Sequence, residues 1–165
     1  MKWPQGWREV LLSDVIESAQ PGFAQRPGEE DEGSTPQIRT HNVSPDGRIT
    51  LEGIKHVTVA DGDPERYRLL PGDVVFNNTN SEEWVGKTAV FDQHDGIFVY
   101  SNHMTRIRGR RDLLLPEFLA TYLHFLWSVG YSRNRAKRWV SQAGIDAPTL
   151  LKFKLPVPPL PEQQR

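Results

Sequence analysis

The residues able to do chemistry are few, and their spacing argues against the reactions they would serve. A DNA amino-methyltransferase site needs a polar Asn or Asp directly before Pro-Pro-aromatic, to hold the target amine. Asn77-Asn78-Thr79 lacks the prolines, and Pro158-Pro159 follows Val157, which cannot polarise an amine. No Gly-x-Gly spacing follows an apolar run to form a cofactor loop, and Gly6, Gly22 and Gly28 are scattered. A metal-dependent nuclease of the common type sets a carboxylate two residues before a lysine, so that both face one phosphate. Lys55, Lys87, Lys137, Lys152 and Lys154 have Gly53, Val85, Arg135, Leu150 and Lys152 at that offset. His41, His56, His94, His103 and His124 are too dispersed for a metal motif. Ser101 and His103 would share one face of a strand, yet neither Ser101 nor Ser81 lies in a Gly-x-Ser-x-Gly elbow. The residues predict no catalytic centre, no metal site and no cofactor.

Binding chemistry is better represented. Phosphates are held by lysine, arginine and small polar groups, and base edges are read by arginine, asparagine, glutamine and similar side chains. Asn78, Thr79, Asn80 and Ser81 extend a polar run from Asn77, just after an apolar stretch, with Lys87 beyond Gly86 as a phosphate contact. The competing reading is turn chemistry, which favours the same residues. From Tyr131 to Gln142 the chain packs Arg133, Arg135, Lys137 and Arg138 with Asn134, Trp139 and Ser141, the interleaving expected of a nucleic-acid contact. Its alternative is a solvated helix face with Trp139 in the core. Arg106, Arg108, Arg110 and Arg111 form a third cluster, which the wet face of a sheet would also explain. The acidic run Glu29-Glu30-Asp31-Glu32 belongs off any DNA surface, because it repels phosphate.

The net charge of −1 hides an asymmetry. Residues 1–85 carry 8 basic and 15 acidic side chains, and residues 86–165 carry 12 and 6, so the second half is the basic one. The length of 165 residues suits one domain with a proper core. Cysteine is absent, which excludes disulfides and thiolate metal sites and fits a reducing cytoplasm. No apolar run approaches the ~20 residues of a membrane span, and Met1-Lys2-Trp3-Pro4 opens no signal-like stretch.

The elements that must position these residues alternate in type. Leu11 to Ala19 predicts a short helix with Ser13 as cap, followed by a Gly/Pro-rich acidic loop from Pro21 to Pro36. Gln37–Val43 and Arg48–Val59 predict strands around the turn Ser44-Pro45-Asp46-Gly47. Asp63-Pro64-Glu65 predicts a brief helix, and Val74-Val75-Phe76 a buried strand. Trp84–Phe91, Ile97–Tyr100 and Met104–Arg108 predict successive strands of one antiparallel sheet, with Asp95-Gly96 as a turn. Pro116, then Phe118, Tyr122, Phe125, Leu126 and Val129, predict the clearest helix, ended by Gly130. Asp146-Ala147-Pro148-Thr149 predicts a capped helix and Phe153–Val157 a strand. The expected class is α+β, a single globular domain with a central, mostly antiparallel, curved sheet and flanking helices.

Several segments in order resemble the specificity subunit of type I restriction–modification enzymes. They are Trp7 to Val15, Ile38 to Val43, Leu70 to Asn77, Asn80-Ser81 with Val85 to Phe91, Phe98 to Arg108, Leu115 to Leu119, Gln142 to Asp146, and Leu155 to Arg165. The resemblance implies a non-catalytic target-recognition domain that reads one half of a split site in double-stranded DNA. It implies as partners the methyltransferase (modification) subunits and, through them, the restriction motor subunit. It adds Arg39, Thr40 and Asn42 as contact candidates and makes Gln142 part of a shared motif. It also implies a target-recognition domain over residues 1–159 and the start of a long spacer helix over 160–165. The alternative reading is a compact DNA methyltransferase or nuclease fragment with its own catalytic site.

Overall fold

The structure, a computed structural model, describes residues 3–25, 33–59 and 62–164. In chain order it runs β1 (Arg8–Leu11), α1 (Leu12–Val15), β2 (Ile16–Pro21), β3 (Thr35–Ile38), β4 (Lys55–Val57), β5 (Val74–Asn77), β6 (Thr79–Asn80), β7 (Thr88–Val90), β8 (Val99–Tyr100) and β9 (Met104–Gly109). There follow α2 (Pro116–Ser128), β10 (Lys137–Arg138), β11 (Ala143–Gly144), α3 (Ala147–Leu151), β12 (Lys154–Val157) and α4 (Leu160–Gln163). Tight 3₁₀ turns occupy Thr40–Asn42, Pro64–Tyr67 and Arg133–Arg135.

β5 is buried at every residue because it runs through the middle of the main sheet, ordered β2-β9-β5-β7 and antiparallel throughout. Side chains alternate across a strand, so Val74 and Phe76 enter one core and Val75 enters another. The first core holds Leu119, Leu123 and Leu126 of α2 with Leu150, Phe153 and Leu155. The second holds Ile38, Leu69, Ala89, Tyr100 and Met104. A three-stranded sheet, β4-β3-β8, closes that second side, with β3 and β8 parallel. β1 pairs with β12 and brings the chain ends together. The mixed α+β class and the mostly antiparallel sheet are as expected.

Local signals hold where a cap or turn residue carries them. Asp63 accepts the Glu65 N–H (3.1 Å) and Asp146 accepts the Thr149 N–H (2.9 Å), each starting a helical turn with proline at its head. Gly130, at φ +77°, follows α2 and turns the chain. Other expectations are corrected. The helix expected over Leu11–Ala19 stops at Val15, because Ile16–Pro21 pairs with β9. Gln37–Val43 ends as a strand at Ile38 and continues as a 3₁₀ turn, and Arg48–Val59 keeps only Lys55–Val57 as strand. Ile97–Tyr100 does not join β7 and β9, since β8 pairs with β3 in the other sheet. The acidic run Glu29–Glu32 lies outside the described residues.

Candidate nucleic-acid interface

The two polar clusters meet in one small sheet. Thr79-Asn80 pairs with Ala143-Gly144, which pairs with Lys137-Arg138, both antiparallel. Residues directly opposed across an antiparallel pair project to the same side, so Thr79, Gly144 and Lys137 share one face and Asn80, Ala143 and Arg138 the other. Trp139 lies on the first face. Its ring edge would stand 2.9 Å from a Cβ on Gly144, with the Thr79 hydroxyl 3.5 Å from that point, so only glycine leaves room for the indole. The Trp139 backbone N–H donates to the Gln142 carbonyl (2.7 Å), which closes the hairpin and holds exposed Gln142 at its end. A cleft of about 320 Å³ beside this face is lined by Asn78, Thr79, Thr105, Lys137, Trp139 and Asp146, among others.

The cations differ in their freedom. Arg133 is exposed beside Gly130. Arg135 lies 3.3 Å above the Tyr131 ring, a cation–π contact that leaves its charge at the surface. Lys137 pairs with Asp146 (3.4 Å) and Arg138 with Glu82 (2.9 Å). Such exposed pairs are weak and screened by solvent, so both cations remain exchangeable towards phosphate. Hydrogen bonding to Thr149 and then Lys137 holds Asp146 below the ordinary carboxylate range.

A second group of candidates points inward. Asn78 is buried; its Nδ2 donates to the Asn102 carbonyl (3.1 Å) and the Thr105 hydroxyl (2.9 Å), and its Oδ1 accepts from the Thr79 hydroxyl (2.8 Å). Asn42 is fully buried, donating to the Thr50 and Glu52 carbonyls and accepting the Arg39 N–H. Lys87 donates to the Val43 carbonyl beneath the Trp84 ring, and burial pushes its ammonium below the usual lysine range. Gly86 approaches not an open surface but Ser132, whose Cβ is 2.4 Å from where a glycine Cβ would stand. The structure thus places Asn42, Asn78 and Lys87 inside the fold, with their polar groups bonded to neighbouring backbone and side chains. The Asn80 Oδ1 accepts the Ser81 N–H (2.7 Å), so these two are half-engaged in the turn.

The arginine strand is also internal. Arg106 is buried, donating to the Arg68 carbonyl and the Gln20 side chain (2.7 Å each), and Arg108 forks onto Asp73. Arg110 and Arg111 are exposed, bonded to Asp112 and the Pro71 carbonyl. In place of that cluster the structure brings Arg39 and Thr40 next to His41, Asn102 and His103 around a polar cleft of about 350 Å³. The Arg39 guanidinium is aimed by a 2.8 Å bond to the Gln37 side-chain oxygen. This cleft joins the Asn78 loop, whose N–H donates to the His103 carbonyl (3.0 Å). Asn102 and His103 are not among the contact candidates that the sequence offers, because no local pattern places a β8–β9 turn beside residues 37–41. Among the described residues, no group of three or more His, Asp or Glu side chains is arranged to hold a metal, and no helix is long and apolar enough to cross a membrane.

The fold is thus a mixed domain in which a small three-stranded sheet, β10-β11-β6, sets two polar loops edge to edge. The family model for the type I restriction modification DNA specificity domain matches residues 4–165, and the chain belongs to that family. It is 28% identical over 98% of its length to a putative type I restriction enzyme MjaX specificity subunit of Methanocaldococcus jannaschii, of which it covers 38%. Its fold matches a chain solved in work on assembly and conformational transition of the type I R-M system (TM-score 0.72, 23% identity, all of this chain and 37% of that one). It also matches the HsdS subunit from Thermoanaerobacter tengcongensis (TM-score 0.68, 24% identity, all of this chain and 36% of that one). The chain therefore spans a little over a third of these relatives' length.

Proposed function

We propose that this chain is a non-catalytic target-recognition domain that binds double-stranded DNA and reads one half of a bipartite site. Within an assembled complex it directs modification subunits, and through them a restriction motor, to that site. The observation that carries the reading is the β6-β11-β10 sheet, which places the polar Thr79–Ser81 loop edge to edge with a hairpin bearing exposed cations. Arg133, Arg135, Lys137 and Arg138 follow the phosphate backbone; Thr79 and Gln142, on one face, present hydrogen-bonding groups to base edges. Arg39, with Asn102 and His103, extends the surface from the adjoining cleft. Residues 1–159 form the recognition domain, and 160–165 begin a spacer helix. Gln163 supports this division: its side chain bonds the Leu115 N–H and the Leu113 and Pro158 carbonyls (2.8–2.9 Å), bracing the helix start against the domain.

The test is fluorescence anisotropy of the chain on duplex DNA across a salt series. Expected is non-specific binding of roughly 10⁻⁴ to 10⁻⁶ M that weakens steeply with salt. Affinity insensitive to salt overturns the phosphate contacts. Methyl transfer from labelled S-adenosylmethionine by the pure chain would favour the enzyme reading instead.

A further inference from the structure

The hairpin tip carries two apolar residues that no core takes in. Val140 is fully exposed (108% of its reference area) and Trp139 is 61% exposed, although the tryptophan is the largest side chain in the segment. The tip is Val140-Ser141, between Trp139 and Gln142, which are joined by backbone hydrogen bonding. Tight hairpin turns favour Gly, Asn and Asp, so neither turn geometry nor core packing explains a β-branched valine there. Single exposed apolar residues are ordinary. This pair is different in three respects. The residues are adjacent, they stand at the turn of the β10–β11 hairpin, where residues 137–142 are all exposed, and the cations Arg133, Arg135, Lys137 and Arg138 lead directly into them. The indole is also held against Gly144 rather than left to swing.

We propose that Trp139 and Val140 form an apolar wedge that enters a base step of the bound duplex. Val140 parts the stacked bases, and the Trp139 ring supports the one displaced. The inference rests on the DNA reading above and adds a mode of readout to it. The flanking cations draw the ribbon onto the phosphates, which is where an apolar tip must arrive before it can unstack a step. Wedges of this kind kink DNA, and the cost of opening depends on the step opened. Flexible pyrimidine–purine steps open most easily. The hairpin tip thus adds a sequence preference of its own to any hydrogen bond that Gln142 makes to a base.

The experiment uses the intact chain on two short duplexes of one sequence, one intact and one with a single abasic position. A third duplex carries 2-aminopurine at TA steps. Expected are a rise in 2-aminopurine fluorescence on binding and a preference of about tenfold for the abasic duplex, where unstacking is already done. Val140→Ser, at a fully exposed position, should abolish most of both signals while the salt-dependent binding carried by the cations persists. Trp139→Ala should abolish them too, with folding confirmed by circular dichroism. Salt-dependent binding with no fluorescence rise and no abasic preference overturns the wedge and leaves the DNA reading standing. Unstacking that survives both substitutions overturns it as well. Absence of any salt-dependent binding removes the DNA reading and the wedge together.

Discussion

Arg108 forks onto Asp73, its Nε 2.7 Å from Oδ1 and an Nη 3.0 Å from Oδ2, and Oδ2 also accepts the Leu70 N–H at 2.8 Å. Asp73 is buried and the arginine about a third exposed. The pair ties β9 to the turn that leads into β5, next to the buried Arg106. An arginine pair that reads from sequence as a wet or DNA-facing strand is thus engaged in bonding within the domain, Arg106 buried and Arg108 partly so. Asp73→Asn should destabilise the domain by about 3 kcal/mol, the low end for a broken buried pair because Arg108 can still reach water. Urea denaturation measures this. DNA affinity, corrected for the folded fraction, should not change.

The exposed cations and the polar face should separate in binding experiments. Arg133→Ala with Arg135→Ala should weaken all sequences about equally and flatten the salt slope by about 1 for each phosphate no longer neutralised. In the assembled complex, Gln142→Ala should lower affinity for the cognate site by roughly 1–3 kcal/mol and leave non-specific binding nearly unchanged. Anisotropy on cognate and scrambled duplexes reads both. The reverse pattern would exchange the two roles.

Asn78 joins three segments, so its removal should act on stability before it acts on recognition. Asn78→Ala leaves the Asn102 carbonyl and the Thr105 hydroxyl without their donor, at a cost of about 1–3 kcal/mol. Thermal unfolding should show the destabilisation, while DNA affinity of the folded fraction falls only as far as the Thr79 loop is displaced. Wild-type stability in this variant would contradict the bracing role.

Acid should weaken the fold through depressed carboxylates. Asp146 and Asp46 both titrate below their ordinary value of 3.8, held down chiefly by side-chain hydrogen bonding to Thr149 and Ser44 respectively. A group whose folded-state pKa is depressed contributes stability that is present above the unfolded value and disappears as pH falls through the folded one. The urea midpoint should therefore be flat near neutrality and fall below the ordinary carboxylate range. Asp146→Asn, which keeps a capping side chain, should make that fall shallower.

The amino-acid sequence alone determined what could be expressed locally. The missing Pro-Pro-aromatic motif and cofactor loop, the apolar run of β5, the periodicity and proline start of α2 and the Asp146 cap are each set within a few residues. The ordered family segments were legible for the same reason. Only tertiary structure decided what the polar residues do. Thr79–Asn80 and Ala143–Gly144 are two-residue strands, too short for any periodicity to announce, and their pairing depends on β5, β9 and α3 holding the two loops at one height. Asn42, Asn78 and Lys87 have the composition of surface contacts. They turn inward to donate to backbone carbonyls at Thr50, Asn102 and Val43, and partners that distant along the chain leave no mark on neighbouring residues. The same packing leaves Trp139, apolar enough for a core, lying across Gly144 at the surface, since a flat sheet face with no Cβ offered it a shelf rather than a pocket.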